Sequence, residues 1–229
     1  MRSDLFTEAG EVEATSNFTL QNHKMLKCVL GPDVLARQGA MVAFQGDVRF
    51  DHEGAGLSRF LKQMATGESI PLMRCAGNGD VFFADRSRDV AIVYLENDGL
   101  TLSGHNVLAF DSTLQWDIKM VQGMAGIGSQ GLFNIVLQGT GWIALTTTGA
   151  PVVFEIQPAS QTFVDAQSAV AWSTSLRTSV SASVTVGSLI GRGSGELWKM
   201  RFEGQSGFVV VQPTEPPLIA PDARGGGLA

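Results

Sequence analysis

The sequence predicts an all-β protein made of three tandem antiparallel units packed as one body, with one short helix near residues 57–66. Three observations carry this reading. The composition is apolar and rich in glycine, with 44% hydrophobic residues, 17% charged residues and 27 Gly among 229, which favours a large core and many turns over long helices. Short runs of Val, Ile, Phe and Trp alternate with glycine clusters, as strands alternate with turns. Two separate blocks of sequence recur with nearly the same period, the mark of internal repetition.

The first block reads Ala40-Met41-Val42-Ala43-Phe44, then Asn106-Val107-Leu108-Ala109-Phe110, then Ala169-Val170-Ala171-Trp172. Its aromatic residues lie 66 and 62 positions apart (110 − 44 and 172 − 110). Each is followed four positions later by an aliphatic residue, giving the pairs Phe44/Val48, Phe110/Leu114 and Trp172/Leu176. The second block closes on glycine in Leu72 to Gly77, Asn134 to Gly139 and Lys199 to Gly204, with spacings of 62 and 65 (139 − 77 and 204 − 139). An apolar run follows each glycine: Val81 to Ala84, Trp142 to Leu145 and Phe208 to Val211. Gly77-Asn78-Gly79 and Gly139-Thr140-Gly141 read as tight hairpins between strands, because glycine reaches positive φ without steric cost. A unit of roughly 60 to 65 residues buries too little surface to be comfortably stable alone, so the three are expected to share apolar faces.

This divides the chain into an N-terminal segment over 1–16, β units over 17–88, 89–157 and 158–212, and a tail over 213–229. The N-terminal segment carries Asp4, Glu8, Glu11 and Glu13 without clear periodicity. In the first unit, Leu57, Phe60, Leu61 and Met64 fall on one helical face, with Gly67 beyond the end. In the second, Val90 to Leu95 is the longest clean apolar run and suits a buried strand. In the third, Ser179 to Val186 alternates polar and apolar residues with the two-residue period of a half-solvated strand. Pro213, Pro216, Pro217, Pro221 and Gly225-Gly226-Gly227 predict a disordered tail.

Charge and cysteine content narrow the function classes. With 16 Lys+Arg against 22 Asp+Glu the net charge is −6, so bulk electrostatics disfavour a nucleic-acid binder. Two cysteines fall short of a disulfide framework, no signal peptide is evident at the start, and no apolar run approaches the roughly 18 to 20 residues of a spanning helix. The expected setting is a reducing cytoplasm.

No constellation points to catalysis. Gly126-Ile127-Gly128-Ser129-Gln130-Gly131 has the glycine spacing of a dinucleotide turn, but Leu132 to Leu137 reads as a strand where that motif needs a helix. Gly191-Arg192-Gly193-Ser194-Gly195 occupies the equivalent place in the third unit, so the glycines read as the unit's own turn. Asp51-His52-Glu53 sets three metal-ligand types side by side, but neighbours on a strand face opposite ways, and His23 and His105 stand apart. Cys28 and Cys75 lie in apolar strand context and read as buried structural thiols. Arg37, Arg49, Arg74, Arg177, Arg192 and Arg201 are dispersed and read as a solvated face. Asn17-Phe18-Thr19 matches a glycosylation acceptor, which is without meaning in a protein that is not secreted. The expected sets of catalytic, cofactor-binding and metal residues are therefore empty, and the protein reads as a non-enzyme.

Five ordered blocks carry a family resemblance: Gln38 to Phe44, Asp98-Gly99-Leu100-Thr101-Leu102, Leu108-Ala109-Phe110-Asp111, Gly131-Leu132-Phe133-Asn134 and Gly193-Ser194-Gly195-Glu196. The chain resembles, from about Asn17 to Pro213, the bacterial branch of the altered-inheritance-of-mitochondria, or mitochondrial biogenesis, family. That resemblance implies a triplicated relative of the tryptophan RNA-binding attenuation protein fold, built from β-sandwich or short double-stranded β-helix units. It also implies a scaffold or membrane-associated assembly role, with no established reaction. The basic positions and bound tryptophan that serve RNA binding in the name-giving fold have no match in this sequence.

The functional expectation is a non-enzymatic oligomeric scaffold or adaptor. Three units are fewer than usually close a ring within one chain, and head-to-tail packing leaves a complementary surface at each end. A homo-oligomer, such as a trimer, satisfies both. The alternative is a small-ligand or nucleic-acid-binding module with its site between units or subunits, motivated by the recurring glycine turns.

Overall fold

The computed structural model describes residues 3–52, 70–120, 133–158, 161–182 and 198–213. Their regular structure is all strand apart from a five-residue helix, α1 (Asp4–Glu8). Ser3 opens this helix: its Oγ accepts the backbone N–H of Leu5 at 3.2 Å, satisfying one of the orphan donors of the first turn. The helix expected near 57–66, both glycine-rich turns at 126–131 and 191–195, and the tail beyond Pro213 lie outside the described residues.

Fifteen strands follow in chain order. The first five are β1 (Phe18–Asn22), β2 (Met25–Leu30), β3 (Val34–Arg37), β4 (Met41–His52) and β5 (Leu72–Phe83). Next come β6 (Asp89–Ser103), β7 (Val107–Asp111), β8 (Gln115–Met120) and β9 (Phe133–Thr147). The last six are β10 (Val152–Ile156), β11 (Thr162–Asp165), β12 (Ala169–Ser173), β13 (Leu176–Ala182), β14 (Trp198–Gly204) and β15 (Gly207–Val211). Twelve strands form one hydrogen-bonded sheet, ordered β1-β2-β5-β3-β7-β9-β6-β12-β15-β10 with β4 added to β5 and β8 to β9. The other three pair as β11-β14-β13.

The long strands correct one expectation. Gly77-Asn78-Gly79 and Gly139-Thr140-Gly141 are not hairpin turns: β5 and β9 run straight through them. Gly77 and Gly79 take φ of +120° and +156°, and Gly139 and Gly141 take +121° and +159°. These values lie in the mirror-image extended region open to glycine, so the chain bends without reversing. The bend lets one strand serve two sets of neighbours. Along one edge β5 carries β4 throughout; along the other it carries β3 beside Leu72–Cys75 and β2 beside Gly79–Phe83. In β9, β6 follows one edge while β8 and β7 share the other.

The end of the chain divides this arrangement between two strands, since β14 lies between β11 and β13 and β15 lies between β10 and β12. Phe44, Phe110 and Trp172 sit opposite Val81, Ile143 and Val209. The register is interrupted at Met41/Ala43, Val107/Ala109 and Ala169/Ala171, three and one residues before each aromatic. Two further antiparallel pairings join consecutive stretches: β3 with β7 through Leu35↔Phe110, and β6 with β12 through Thr101↔Trp172.

Among the described residues three apolar clusters form the core. Leu26, Cys28, Val34, Cys75 and Phe83 belong to one, Leu35, Leu102, Phe110 and Ile143 to the middle one, and Ile156, Trp172, Phe202 and Val209 to the last. Full burial of a side chain such as Phe83 or Phe110 contributes roughly 1.5–3 kcal/mol. The run Val90 to Leu95 departs from expectation, because it is only part of the longer β6 and its Tyr94 is exposed beside Trp142, with ring centroids 4.6 Å apart. Of the alternating stretch expected over 179–186, Ser179 and Ser181 are exposed and Val180 is half-buried in β13, while residues 183–186 lie outside the described residues.

Candidate functional site

A cavity of about 430 Å³ opens beside the β3–β7 junction. Three connections line it. The β3–β4 turn supplies Arg37 and Gly39, the β5–β6 turn supplies Asp85 and Arg86, and the β6–β7 turn supplies Gly104 and His105, with Ile70 and Phe133 completing the wall. The first two turns meet because Met41 at the start of β4 lies opposite Phe83 at the end of β5, with the Ala84 backbone N–H donating to the Ala40 carbonyl at 2.9 Å, and Arg37 ties the third turn to them through the Gly104 carbonyl.

Close approach fixes Gly104. A Cβ there would lie 2.7 Å from the carbonyl oxygen of Phe133 and 2.8 Å from the Ile70 side chain, so only glycine admits the contact. Its own carbonyl accepts a hydrogen bond from Arg37 Nη2. In the neighbouring turn, Arg86 and Ser87 hold φ of +47° and +59°, a left-handed conformation that costs a residue with a side chain about 1–2 kcal/mol. Arg88 then ties the turn down: its Nη1 donates to the His105 carbonyl at 2.7 Å and to Asp85 Oδ2 at 3.2 Å, and its Nη2 donates to the Thr146 carbonyl at 3.2 Å.

The electrostatics are lopsided. Arg37 and Arg88 flank one carboxylate, Asp85, which lies 3.8 Å from Arg37 Nη1 and 3.2 Å from Arg88 Nη1, and Arg86 lines the same cavity. Burial lowers the Arg37 and Arg88 guanidinium pKa, with Asp85 opposing it. The Nε atoms of both arginines are buried with no hydrogen-bond partner among the described residues. His105 is exposed by area, yet desolvation by the surrounding protein, and after it the Arg37 and Arg88 charges, holds its pKa below the ordinary imidazole value. A locally cationic cavity in a chain of net charge −6 favours an anion.

The structure brings Arg37 and His105 together here and leaves the other singled-out residues apart. Arg74 pairs with Asp33 at 3.0 Å, Arg201 pairs with Glu203, and Arg49 and Arg177 are exposed, while Arg192 lies outside the described residues. His23 is exposed in the β1–β2 turn, and Asp51 is exposed at the end of β4. Glu53 lies outside the described residues, and among those described no group of three His, Cys, Asp or Glu is placed to hold a metal. Cys28 and Cys75 are both free and fully buried. Burial pushes both thiols up, Cys75 to about 12, which removes them as nucleophiles near neutral pH. Of the glycosylation-like triplet, Phe18 and Thr19 are buried. Sequence reasoning missed Arg86 and Arg88; the available signal was two arginines bracketing Ser87 between strands, in a segment too short to be anything but a turn.

Comparison with known proteins bears on the whole chain. No curated protein matches it. Among solved structures it is similar to protein SPYM3_0169 from Streptococcus pyogenes, with a TM-score of 0.69 and 20% identity, covering 86% of this chain and 92% of that one, a likeness that shows the fold. A family model described as mitochondrial biogenesis AIM24 matches residues 18–214, from the first strand to just past the last. By that match the chain belongs to the AIM24 mitochondrial biogenesis family.

Proposed function

We propose that this protein is a non-enzymatic, homo-oligomeric scaffold built from three tandem β-sandwich units of the tryptophan RNA-binding attenuation protein kind. One observation carries the reading: β3 pairs with β7 and β6 pairs with β12, so successive stretches of the chain are joined by backbone hydrogen bonds at two corresponding junctions. A protein that extends by adding a strand of one unit to the sheet of the next has a built-in means of assembly. The shared register breaks before Phe44, Phe110 and Trp172 support the view that the units are copies of one another. Cytoplasmic residence, unidentified protein partners and peripheral membrane contact belong to the same reading; no helix among the described residues is long and apolar enough to cross a membrane.

Size-exclusion chromatography with light scattering tests it. The expected result is a discrete multiple of the 24.3 kDa chain mass at micromolar concentration. A monomer throughout that range overturns it.

A second reading is favoured by the charge imbalance of the cavity, whose wall carries Arg37 and Arg86 against Asp85, with Arg88 on the far side of that carboxylate. It makes the junction between the first and second units a site for a small anion. Calorimetric titration of the wild-type protein with inorganic phosphate should show saturable binding that Arg37→Gln abolishes, and no heat of binding removes the reading.

A further inference from the structure

We propose that the outer edge of β11 in one copy pairs antiparallel with the outer edge of the first half of β4 in the next copy, with Phe163 opposite Phe44. This rests on the tandem-unit reading and deepens it by naming the two edges and their register.

The argument comes from what covers corresponding strands. Leu35, Thr101 and Phe163 occupy matching places, since each lies opposite the residue three before a matched glycine: Leu35↔Arg74, Thr101↔Val136 and Phe163↔Arg201, ahead of Gly77, Gly139 and Gly204. The aromatics Phe44, Phe110 and Trp172 match in the same way. At the first junction Leu35 faces Phe110, and at the second Thr101 faces Trp172. The remaining members of the two sets are Phe163 and Phe44. Among the described residues β11 pairs only with β14 and β4 only with β5, so each presents an unfilled edge.

Exposure follows the same division. Phe110 and Trp172, whose edges are covered, are 0% and 3% exposed, whereas Phe44 is 47% exposed and Val42 52%. Leu35 and Thr101 are 0% and 8% exposed, whereas Phe163 is 55% exposed. An uncovered strand bearing large apolar side chains is a template for pairing. The two edges are of different kinds, one donating the β3-like strand and one the β7-like strand, so their contact is head-to-tail, and repeated contact closes a ring or extends a filament. Transferring the register of the internal junctions sets Thr162 opposite Gln45, Phe163 opposite Phe44 and Val164 opposite Ala43.

Cysteine cross-linking of the full chain tests the register, because native Cys28 and Cys75 are buried and give a silent background. Gln45→Cys and Thr162→Cys are made as separate proteins, mixed and oxidised, and the double variant is oxidised alone. The expected result is a covalent dimer from the mixture, no dimer from either single variant, and a covalent multimer from the double variant. A double variant that cross-links only within one chain overturns the proposal in favour of closure within the monomer. No cross-link, in protein that light scattering finds oligomeric, overturns these edges and leaves the scaffold reading standing; a monomer overturns both. As a second measurement, Phe44→Lys and Phe163→Lys alter exposed side chains, so each should dissociate the assembly while leaving the circular dichroism spectrum unchanged; an assembly that survives both overturns the proposal.

Discussion

Asn106 and Gln212, 106 positions apart in sequence and each 1% exposed, meet in the interior, where Asn106 Nδ2 donates to Gln212 Oε1 at 3.3 Å. The same Asn106 amide donates to the Thr146 carbonyl at 2.7 Å, and Gln212 Oε1 also accepts the Thr148 backbone N–H at 3.1 Å. The backbone N–H of Gln212 reaches the Ser168 carbonyl at 3.0 Å. One buried amide pair therefore fastens the end of the last strand to the middle of the chain. Gln212→Leu leaves the Thr148 donor unsatisfied and is expected to cost about 2 kcal/mol, near the middle of the range for a stranded buried polar group. Urea denaturation checks this.

The glycines inside β5 and β9 separate two sources of strain. A Cβ on Gly77 would overlap the backbone oxygen of Asp47, while one on Gly139 meets only Leu114 Cδ2 at 3.6 Å. Both positions have φ near +120°. Gly139→Ala is expected to lose about 1–3 kcal/mol from conformation alone, and Gly77→Ala more, because β4 must also move away. Thermal denaturation of the two variants measures the difference, and equal losses would show that β4 yields without cost.

Asp111 sets a pH dependence. Its Oδ2 accepts the Trp142 backbone N–H at 2.7 Å, yet burial raises its carboxyl pKa above the ordinary value, with that hydrogen bond opposing the rise. The folded protein thus holds the proton more tightly than the unfolded chain does, so ionisation weighs against the fold as pH climbs through the ordinary carboxyl range. Asp111→Asn keeps an acceptor oxygen and loses the charge. Its melting temperature relative to wild type should be higher at pH 7 than at pH 3; the reverse order overturns this account.

Lys27, buried between Glu11 at 2.6 Å and Asp80 at 2.9 Å, pins the N-terminal segment to β2. Its Nζ also donates to the Val12 carbonyl at 3.2 Å. Its pKa is raised by the hydrogen bonds to Glu11 and Asp80, with burial opposing. The pairing therefore stabilises the fold below the ordinary lysine value and is lost as pH rises through the higher folded one. Lys27→Met should free residues 10–16, seen as faster hydrogen exchange at Val12, whose amide donates to Gln21 Oε1, with exchange in β9 unchanged.

The two thiols give a direct assay of integrity. With both cysteines fully buried and their pKa pushed up, neither should react with a thiol reagent at pH 8 in the folded protein, and both should react in denaturant. Reaction of either in the native state would show that the cluster around Cys28 and Cys75 opens.

Much of the fold was legible because strand residues announce themselves locally. The runs around Phe110, Trp172 and Val209 are apolar and flanked by turn formers; the first two lie in buried strands, and the third in a half-buried strand that buries Val209. The glycine pairs misled because composition does not distinguish a positive φ that reverses a chain from one that bends it; the decision belongs to the partner strand, here β4 passing Gly77 and Gly79 at close range. Helix α1 escaped notice because five residues are too few to display a period. The cavity was half legible: Arg37 and His105 are 68 positions apart (105 − 37), and their convergence with Arg86 depends on three turns brought together only by strand pairing and the Arg37 bond to the Gly104 carbonyl.

β6 and β9, 15 residues each, stay paired from Asp89↔Thr147 to Ser103↔Asn134. The first and last parts of the chain hang on this central ribbon through the short strands β3, β7 and β12. A force applied at the two termini must peel these brief contacts before it can shear the ribbon. Mechanical failure thus begins at the periphery and spares the middle, so a stretched molecule keeps its centre intact while paying out chain from both ends.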